Sequence, residues 1–371
     1  MSNSALRRIK SQLVLAYHDL IQRRRWLFVN LSVSKISNLV IAVLQALCRL
    51  GHVRGYPPIL KIDITPLCNL HCPICIHASP VPDSAPELKK QRFSSDQMMT
   101  VENFEKIVSE VQAKTIALSL YYFGDPLLHP KLAQLCSIAS QSGLSTHVSS
   151  NFSVRLSDEQ LRDLALSGLT HLTVCIDGFS QKSYEKTRVG GNLELVLNNL
   201  RRIIRIRNDH MRKWPLVQVK YLTYPHNLHE LPMAQSYFRS IGVDYVAVLP
   251  GDTINWADAV PGTEEIRGAK KTGGFFSCPM LYLTMVIKYD GNVVPCCKHR
   301  VSAQYSSGDA RTLGNVFQQG VKAVWNAPAY VANRRLAAFP SSASAEASAR
   351  ALFCYRCRNL FEFQNESRPY F

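Results

Sequence analysis

From Leu60 to about residue 250 the chain alternates short apolar runs with amphipathic stretches, and this rhythm limits the available folds more than any other feature. Candidate strands are 59–65, 115–122, 145–150, 171–177, 216–224 and 243–249. Between them, Val101–Ala113, Pro130–Ser142, Ser157–Leu166, Asn192–Ile206 and Leu231–Ile241 carry helical spacing. Strands separated by helices need crossover connections, so the expected sheet is parallel with right-handed crossovers. An open doubly wound sheet and a partial barrel both satisfy the pattern. In either, chemistry collects at the C-terminal ends of the strands.

The residues at those ends are unusual. The first strand runs into Cys68-Asn69-Leu70-His71-Cys72-Pro73-Ile74-Cys75, a C-x3-C-x2-C loop. Three thiolates can surround one soft metal centre and leave a position open, which is what catalytic sites keep. A zinc knuckle borrowing a fourth ligand, or a disulfide with a spare thiol, would use the same spacing. The second strand ends in Tyr121-Tyr122-Phe123-Gly124-Asp125-Pro126 and the third in Val148-Ser149-Ser150-Asn151. The fourth ends in Cys175-Ile176-Asp177-Gly178, followed by Tyr184, Arg188, Gly190 and Gly191. One such end is ordinary turn chemistry; three in succession beside a three-cysteine loop mark a functional rim.

On these residues the chain resembles the radical S-adenosylmethionine enzymes. The cysteine loop after the first strand is similar to their signature, Phe123-Gly124-Asp125-Pro126 to their Gly-Glu-Pro motif, and Ser150-Asn151 to their Thr-Asn-Gly element. Cys175-Ile176-Asp177-Gly178 with Arg188 and Gly190-Gly191 resembles the Ser-x-Asp-Gly…Arg…Gly-Gly segment of one large branch. The resemblance implies a partial (βα)6 barrel, TIM-like, over 57–250. It implies that Cys68, Cys72 and Cys75 hold a four-iron, four-sulfur cluster whose open iron takes S-adenosylmethionine. It also implies cofactor contacts from Gly124, Asp125, Pro126, Ser150, Asn151, Cys175, Asp177 and Arg188, and a reductant such as flavodoxin or ferredoxin. An electron from the cluster would release a 5′-deoxyadenosyl radical that abstracts hydrogen from substrate. The departures are Asp125 for Glu, Phe152 for Gly and Cys175 for Ser.

Beyond a Gly-rich stretch at 250–276, read as a linker, Cys278 and Cys296 flank a hairpin signal at Asp290-Gly291, and Cys354 and Cys357 form a C-x2-C pair. Four thiolates make a closed tetrahedral set for zinc or an iron–sulfur cluster. The block is similar to the SPASM or twitch extension that follows many of these barrels, through Gly291-x4-Cys296, Leu313-Gly314-Asn315-Val316, Trp325 and the final C-x2-C. No cysteine follows Cys357, so one auxiliary cluster is expected in 251–371, ligated by Cys278, Cys296, Cys354 and Cys357, with Cys297 a substitute ligand. Core packing is expected for Cys48 and Cys136, and a frayed helix or loop for Ser341 to Arg350.

The formal net charge is +16, which favours anionic partners. Residues 1–56 hold nine Lys/Arg against Asp19 alone and read as two helices. In the second, Ile36, Leu39, Val40, Val43, Leu44 and Leu47 share one face. Such a basic amphipathic extension can pack on the barrel or lie on a membrane surface, and its apolar run is too short to span one. No secretory signal is recognised, so the expected address is the cytoplasm, with residues 1–50 as a peripheral membrane contact. The expected substrate is a phosphorylated, nucleotide-linked or lipid-linked sugar-like molecule, oxidised, dehydrogenated or epimerised. Asp63, Lys61, Lys220 and Tyr224 are the acid–base candidates. A peptide-modifying maturase is the second reading, and a zinc-stapled binding protein the third; nucleic acid is not expected as a partner.

Overall fold

The computed structural model describes residues 25–73, 75, 77, 93–251, 266–269, 278–296, 312–343, 347–355, 357 and 360–363. Its centre is a parallel sheet of β1 (Ile59–Ile62), β2 (Ala117–Ser119), β3 (Ser145–Ser150), β4 (His171–Cys175), β5 (Leu216–Thr223) and β6 (Tyr245–Pro250), in sequential spatial order. The helices between them are α2 (Val101–Val111), α3 (Leu132–Gln141), α4 (Asp158–Leu166), α5 (Leu193–Asp209) and α6 (Leu231–Ser240). Sequential order with uniform crossovers is the layout of a partial barrel. Starts are set by capping side chains: Thr100 for α2, a Ser157–Gln160 capping box for α4 and Asn192 for α5.

The strands have two unlike faces. Leu60, Ile62, Leu118, Leu120, Val148, Leu172, Val174, Val217 and Val219 are buried in the core that also holds Phe104, Leu135, Leu164, Leu200 and Phe238 from the helices. Each such side chain contributes about 1.5–3 kcal/mol when withdrawn from water. The alternate positions, Lys61, His147, Ser149, Thr173, Cys175, Gln218 and Lys220, give the other face a polar lining. Sheet register therefore assembles a polar interior from residues far apart in sequence.

The sheet does not stop at the expected boundary at 250. β7 (Thr284–Ile287) pairs in parallel with β1, and β8 (Val293–Val294) pairs antiparallel with β7. A short helical turn, Met280–Leu283, leads into β7. Within the stretch read as a linker, Ile266–Ala269 pairs antiparallel with Phe361–Phe363, which corrects that reading for these four residues. Further on, α7 (Pro328–Ala338) packs beside the block that carries the C-terminal cysteines. Between 341 and 350 the described parts are helical turns, Pro340–Ala343 and Ala347–Ala351.

Of the two expected N-terminal helices, the first lies outside the described residues. The second, α1 (Val33–Leu47), forms as expected but packs the other way round. Lys35, Asn38, Ala42, Gln45 and Ala46 are buried, while Ile36, Val40 and Leu44 of the apolar face are exposed. The inward polar groups are matched to backbone. Lys35 Nζ donates to Gly143 O, Asn38 Nδ2 to Tyr56 O (2.9 Å) and Lys114 O (3.2 Å), and Gln45 Nε2 to Arg54 O (3.2 Å). Those carbonyls precede β1, β2 and β3, so α1 covers the N-terminal ends of the strands, opposite the cysteine loop. Cys48, at the end of α1, is exposed rather than in the core; Cys136 is buried as expected.

Candidate active site

Gly124 fixes the base of the cysteine loop. A Cβ there would stand 2.1 Å from Thr65 O and 2.5 Å from Leu67 O, so only glycine allows the second strand's end to press against the first's. Asp125 N then donates to Leu67 O at 2.7 Å. On the other side of the loop His71 N donates to Val189 O at 2.9 Å, which ties it to the Arg188–Gly190 turn.

Within this frame the three thiols lie inside electrostatic reach of one another. Burial pushes the Cys68 thiol up, with Asp125 adding to it, and pushes Cys72 to about 11. Buried thiols of this kind ionise only beside a cation, and bound iron reverses the shift. Asn151 Nδ2 faces Cys68 Sγ at 3.9 Å and donates to Asn69 Oδ1 at 3.0 Å. Amide donors directed at a ligating sulfur are one of the levers that set a cluster's potential. Among the described residues no three His, Cys, Asp or Glu side chains close up around a single ion; a cube of iron and sulfide spreads its thiolates over separate irons and does not require it.

Asp125, expected as a cofactor contact, is buried and accepts from the neighbouring strand end. Ser150 Oγ donates to both its oxygens (2.8 and 2.9 Å), Leu127 N to Oδ1 (3.0 Å) and Asn151 N to Oδ2 (2.7 Å). Three donors, one of them a hydroxyl shared between both oxygens, hold the carboxylate, and through them Asp125 positions Ser150 and Asn151. Pro126 follows as the first residue of a one-turn 3-10 helix that Asp125 caps. Phe152 has φ of 60°, a left-handed conformation that explains why glycine is usual at this position. Asn199, whose Nδ2 donates to Phe152 O (3.1 Å) and Val154 O (2.8 Å), holds it there.

Arg188 is paired with a buried carboxylate beside the cysteine loop. Its Nε donates to the buried Asp177 Oδ2 at 2.6 Å, and its guanidinium interacts with the Cys72 thiol. Burial would discharge it, but the Asp177 carboxylate outweighs that and holds it charged. Cys175 lines the interior, with Sγ 3.6 Å from Ser149 Oγ.

Below the rim, Lys61 and Lys220 approach His147 from β1 and β5, and Lys61 Nζ lies 4.3 Å over the Tyr121 ring. Asp63 is buried, with Phe123 N donating to Oδ1 at 3.3 Å, while Oδ2 has no hydrogen-bond partner among the described residues. Burial raises its carboxyl to about 8, against the pull of the Phe123 and Gly124 amides, Lys61 and Lys288. Tyr224 stacks on His226 and lies beneath Gly251. Trp26 closes the floor, 5.1 Å from the His147 ring and 5.5 Å from that of His171.

The four C-terminal thiols also converge. Burial drives Cys354 well up, and Cys296, Cys357 and Cys278 push it in the same direction. Cys354 N donates to Asn333 Oδ1 at 2.9 Å; Cys297 lies outside the described residues. The two cysteine groups are linked through contacts: Cys75 packs with Phe123, Phe123 on Tyr122 (ring centroids 4.0 Å apart), and Tyr122 OH donates to Cys296 O at 3.3 Å.

A sequence profile of the radical SAM superfamily matches residues 62–213, and one of the SPASM iron–sulfur cluster-binding domain matches 278–358. Together they cover more than half of the chain. The protein is a radical S-adenosylmethionine enzyme with a SPASM domain. Its cofactors are therefore iron–sulfur clusters and S-adenosylmethionine, and the cysteine groups fit them. The chain is similar to a tungsten-containing aldehyde ferredoxin oxidoreductase cofactor-modifying protein of Pyrococcus furiosus, with 22% identity over 73% of this chain and 81% of the relative. It is similar also to a PqqA peptide cyclase of Bradyrhizobium diazoefficiens, with 25% identity over 55% of this chain and only 49% of that one. Streptococcus suis SuiB bound to precursor peptide SuiA shares the fold, with TM-score 0.50 and 12% identity over 86% of this chain and 78% of that chain.

Reading the sequence alone missed Asn69, which links Asn151 to the loop and whose Nδ2 donates to Ser153 O at 2.7 Å. It missed Asn227, whose Nδ2 holds Asp177 O at 2.8 Å. It also missed the paired His147 and His171, ring centroids 4.6 Å apart. Both are inner-face positions at matched register on β3 and β4, so strand alternation carried the signal, but only once the strands were aligned.

Proposed function

We propose that this enzyme abstracts a hydrogen atom from an anionic, sugar-like small molecule, phosphorylated or nucleotide-linked, toward oxidation, dehydrogenation or epimerisation. The observation that carries the substrate class is the pair of lysines, Lys61 and Lys220, on the inner face between the cysteine rim and the Trp26 floor. Two cations in a partly desolvated interior favour a phosphate or carboxylate far more than they would in water.

In this reading Cys68, Cys72 and Cys75 hold the cluster that binds S-adenosylmethionine, and Cys278, Cys296, Cys354 and Cys357 hold one auxiliary cluster. When bound, these groups supply the electron and the carbon radical that removes substrate hydrogen. The protein's own residues position and protect. Asn151 donates toward the Cys68 sulfur. Asp125 fixes Ser150 and Asn151. Asp177 aims Arg188 at the site. Trp26, His147 and His171 shut the floor against water. Asp63 is the acid–base group, moving a proton at Oδ2, since a carboxyl titrating near 8 can both hold and release one close to neutrality. An electron donor of the flavodoxin or ferredoxin kind and a cytoplasmic setting go with this reading; the ten described cysteines are all free of disulfides, as a reducing compartment requires.

The peptide reading stays second, favoured by the names of the PqqA cyclase and of SuiB with its precursor peptide. Deuterium transfer into 5′-deoxyadenosine across deuterated phosphosugars, nucleotide sugars and peptides separates the two. Transfer from a phosphorylated substrate, with KM raised about tenfold or more by Lys61→Ala or Lys220→Ala and little change for a neutral analogue, is the expected result. Transfer from peptides alone sinks the proposal.

A further inference from the structure

The outward face of α1 is apolar and uncharged. Val33 is 82% exposed, Ile36 46%, Val40 50% and Leu44 54%, at spacings of three, four and four residues that form one stripe. Phe28 (50%) and Leu31 (37%) continue it at the N-terminal end. From Trp26 to Cys48 the only charged residue is Lys35, and Lys35 points inward onto carbonyls. A soluble helix normally has the opposite arrangement, with its apolar stripe toward the core. Here the polar stripe satisfies the ends of the barrel's strands, and the apolar stripe is left outward.

Charge surrounds this stripe on the same floor. Trp214 packs against the cluster of Trp26, Ile116 and Ala117 on which Leu39 of α1 also packs, which brings the turn before β5 alongside α1. On that turn Met211 is 93% exposed, and Arg212 and Lys213 are exposed too, with Asp209 the acid just before them. Exposed Arg54 follows the helix.

We infer that the floor of the barrel is a docking surface for an anionic lipid bilayer, with the α1 stripe inserted among the acyl chains at the interface and Arg212, Lys213 and Arg54 on the headgroups. An apolar stripe rimmed by cations is the chemistry of an interfacial helix. Among the described residues no helix is long and apolar enough to cross a membrane, so α1 lies on the surface and does not span it. Because α1 covers the N-terminal ends of the strands, the docked enzyme turns its cysteine rim toward water. A water-soluble anionic substrate then reaches the site, while a headgroup in the same bilayer does not. This last step rests on the function proposed above; the docking itself does not.

The test is co-sedimentation of the full-length, cluster-loaded protein with vesicles of phosphatidylcholine containing phosphatidylglycerol, and with phosphatidylcholine alone. The wild type binds the anionic vesicles, and salt weakens the binding. The combined variant Val33→Ser, Ile36→Ser, Val40→Ser, Leu44→Ser loses about tenfold or more in partitioning. These four side chains are exposed, so iron content and cleavage of S-adenosylmethionine stay at wild-type levels and report that the fold is intact. Equal partitioning of variant and wild type overturns the inference, as does a wild type that leaves anionic vesicles unbound. A wild-type dimer that the variant converts to monomer, without vesicle binding, assigns the stripe to a second copy and overturns it as well.

Discussion

The two cysteine groups solve one problem in opposite ways. Cys68, Cys72 and Cys75 occupy eight consecutive residues, and their loop is held by the ends of its own sheet: Gly124 against Thr65, Asn151 at Cys68, Arg188 at Cys72. Cys278, Cys296, Cys354 and Cys357 are spread over 80 residues and meet only because β7 joins β1 and α7 packs behind them. A local group depends on neighbours that fold with it. A dispersed group depends on long-range packing, whose loop-closure cost must be met first. The first should therefore tolerate distant changes and the second should not, and under the proposed function the first starts the reaction and the second serves it.

Removing thiols tests that division most severely. Replacing Cys68, Cys72 and Cys75 together by Ala should lower iron from ~8 to ~4 per chain and reduce 5′-deoxyadenosine formation to background. Replacing Cys354 by Ala should lower iron equally, abolish substrate turnover, and leave 5′-deoxyadenosine formation within a few-fold of wild type. Iron analysis and single-turnover product assays decide it. If both variants lost 5′-deoxyadenosine alike, the two groups would not be separable in function.

Asp63 is reached by the Phe123 amide from one strand end and by Lys288, next along from β7, from another. A carboxyl raised to about 8 by burial keeps a proton in the fold that the unfolded chain gives up above about 4. Between those values the folded state binds more protons, so this group's contribution to stability is full at low pH and is lost as pH rises through about 8. Asp63→Asn should therefore leave stability near wild type at pH ~5 and gain roughly 2–4 kcal/mol by pH ~8, with substrate turnover falling while cofactor cleavage persists. Thermal unfolding of cluster-loaded protein across pH measures it; parallel curves for the two proteins would remove the buried-proton account.

Much of the barrel was legible because one face of each strand packs on helices. The apolar alternation of 216–224 was therefore visible, and the strand forms at Leu216–Thr223. The cysteine loop was legible because it is local. What stayed hidden depends on register and orientation. The hold of Ser150 and Asn151 on Asp125 follows from how β2 and β3 align, which no single strand reports. Ile266–Ala269 looked like linker because its partner, Phe361–Phe363, lies far along the chain. Helical periodicity showed which residues of α1 share a face, but not that Lys35, Asn38 and Gln45 would find carbonyls at the strand ends and turn the apolar face outward.

The smallest expected effect examines how the dispersed group is held. Asn333 is buried on α7; its Oδ1 accepts from Cys354 N at 2.9 Å while its Nδ2 donates to Ala329 O at 2.8 Å. Asn333→Ala leaves the Cys354 amide without its acceptor in a dry place, which costs about 1–3 kcal/mol. The loss should appear as a lower unfolding temperature and a partly filled auxiliary cluster, seen as reduced iron and a weakened second spectroscopic signal. Formation of 5′-deoxyadenosine should not change, since Asn333 is bonded to the other cysteine group, at Cys354. Its counterpart at the local group, Asn151→Ala, removes a donor to sulfur and to Asn69 but leaves Gly124 and Asp125 to hold the loop. Iron should therefore stay bound there and the potential of that cluster should fall, because a thiolate that has lost an amide donor stabilises the oxidised state. If Asn333→Ala kept full iron while Asn151→Ala lost it, the dispersed group would be the more robust of the two, and the contrast between local and long-range support would be reversed.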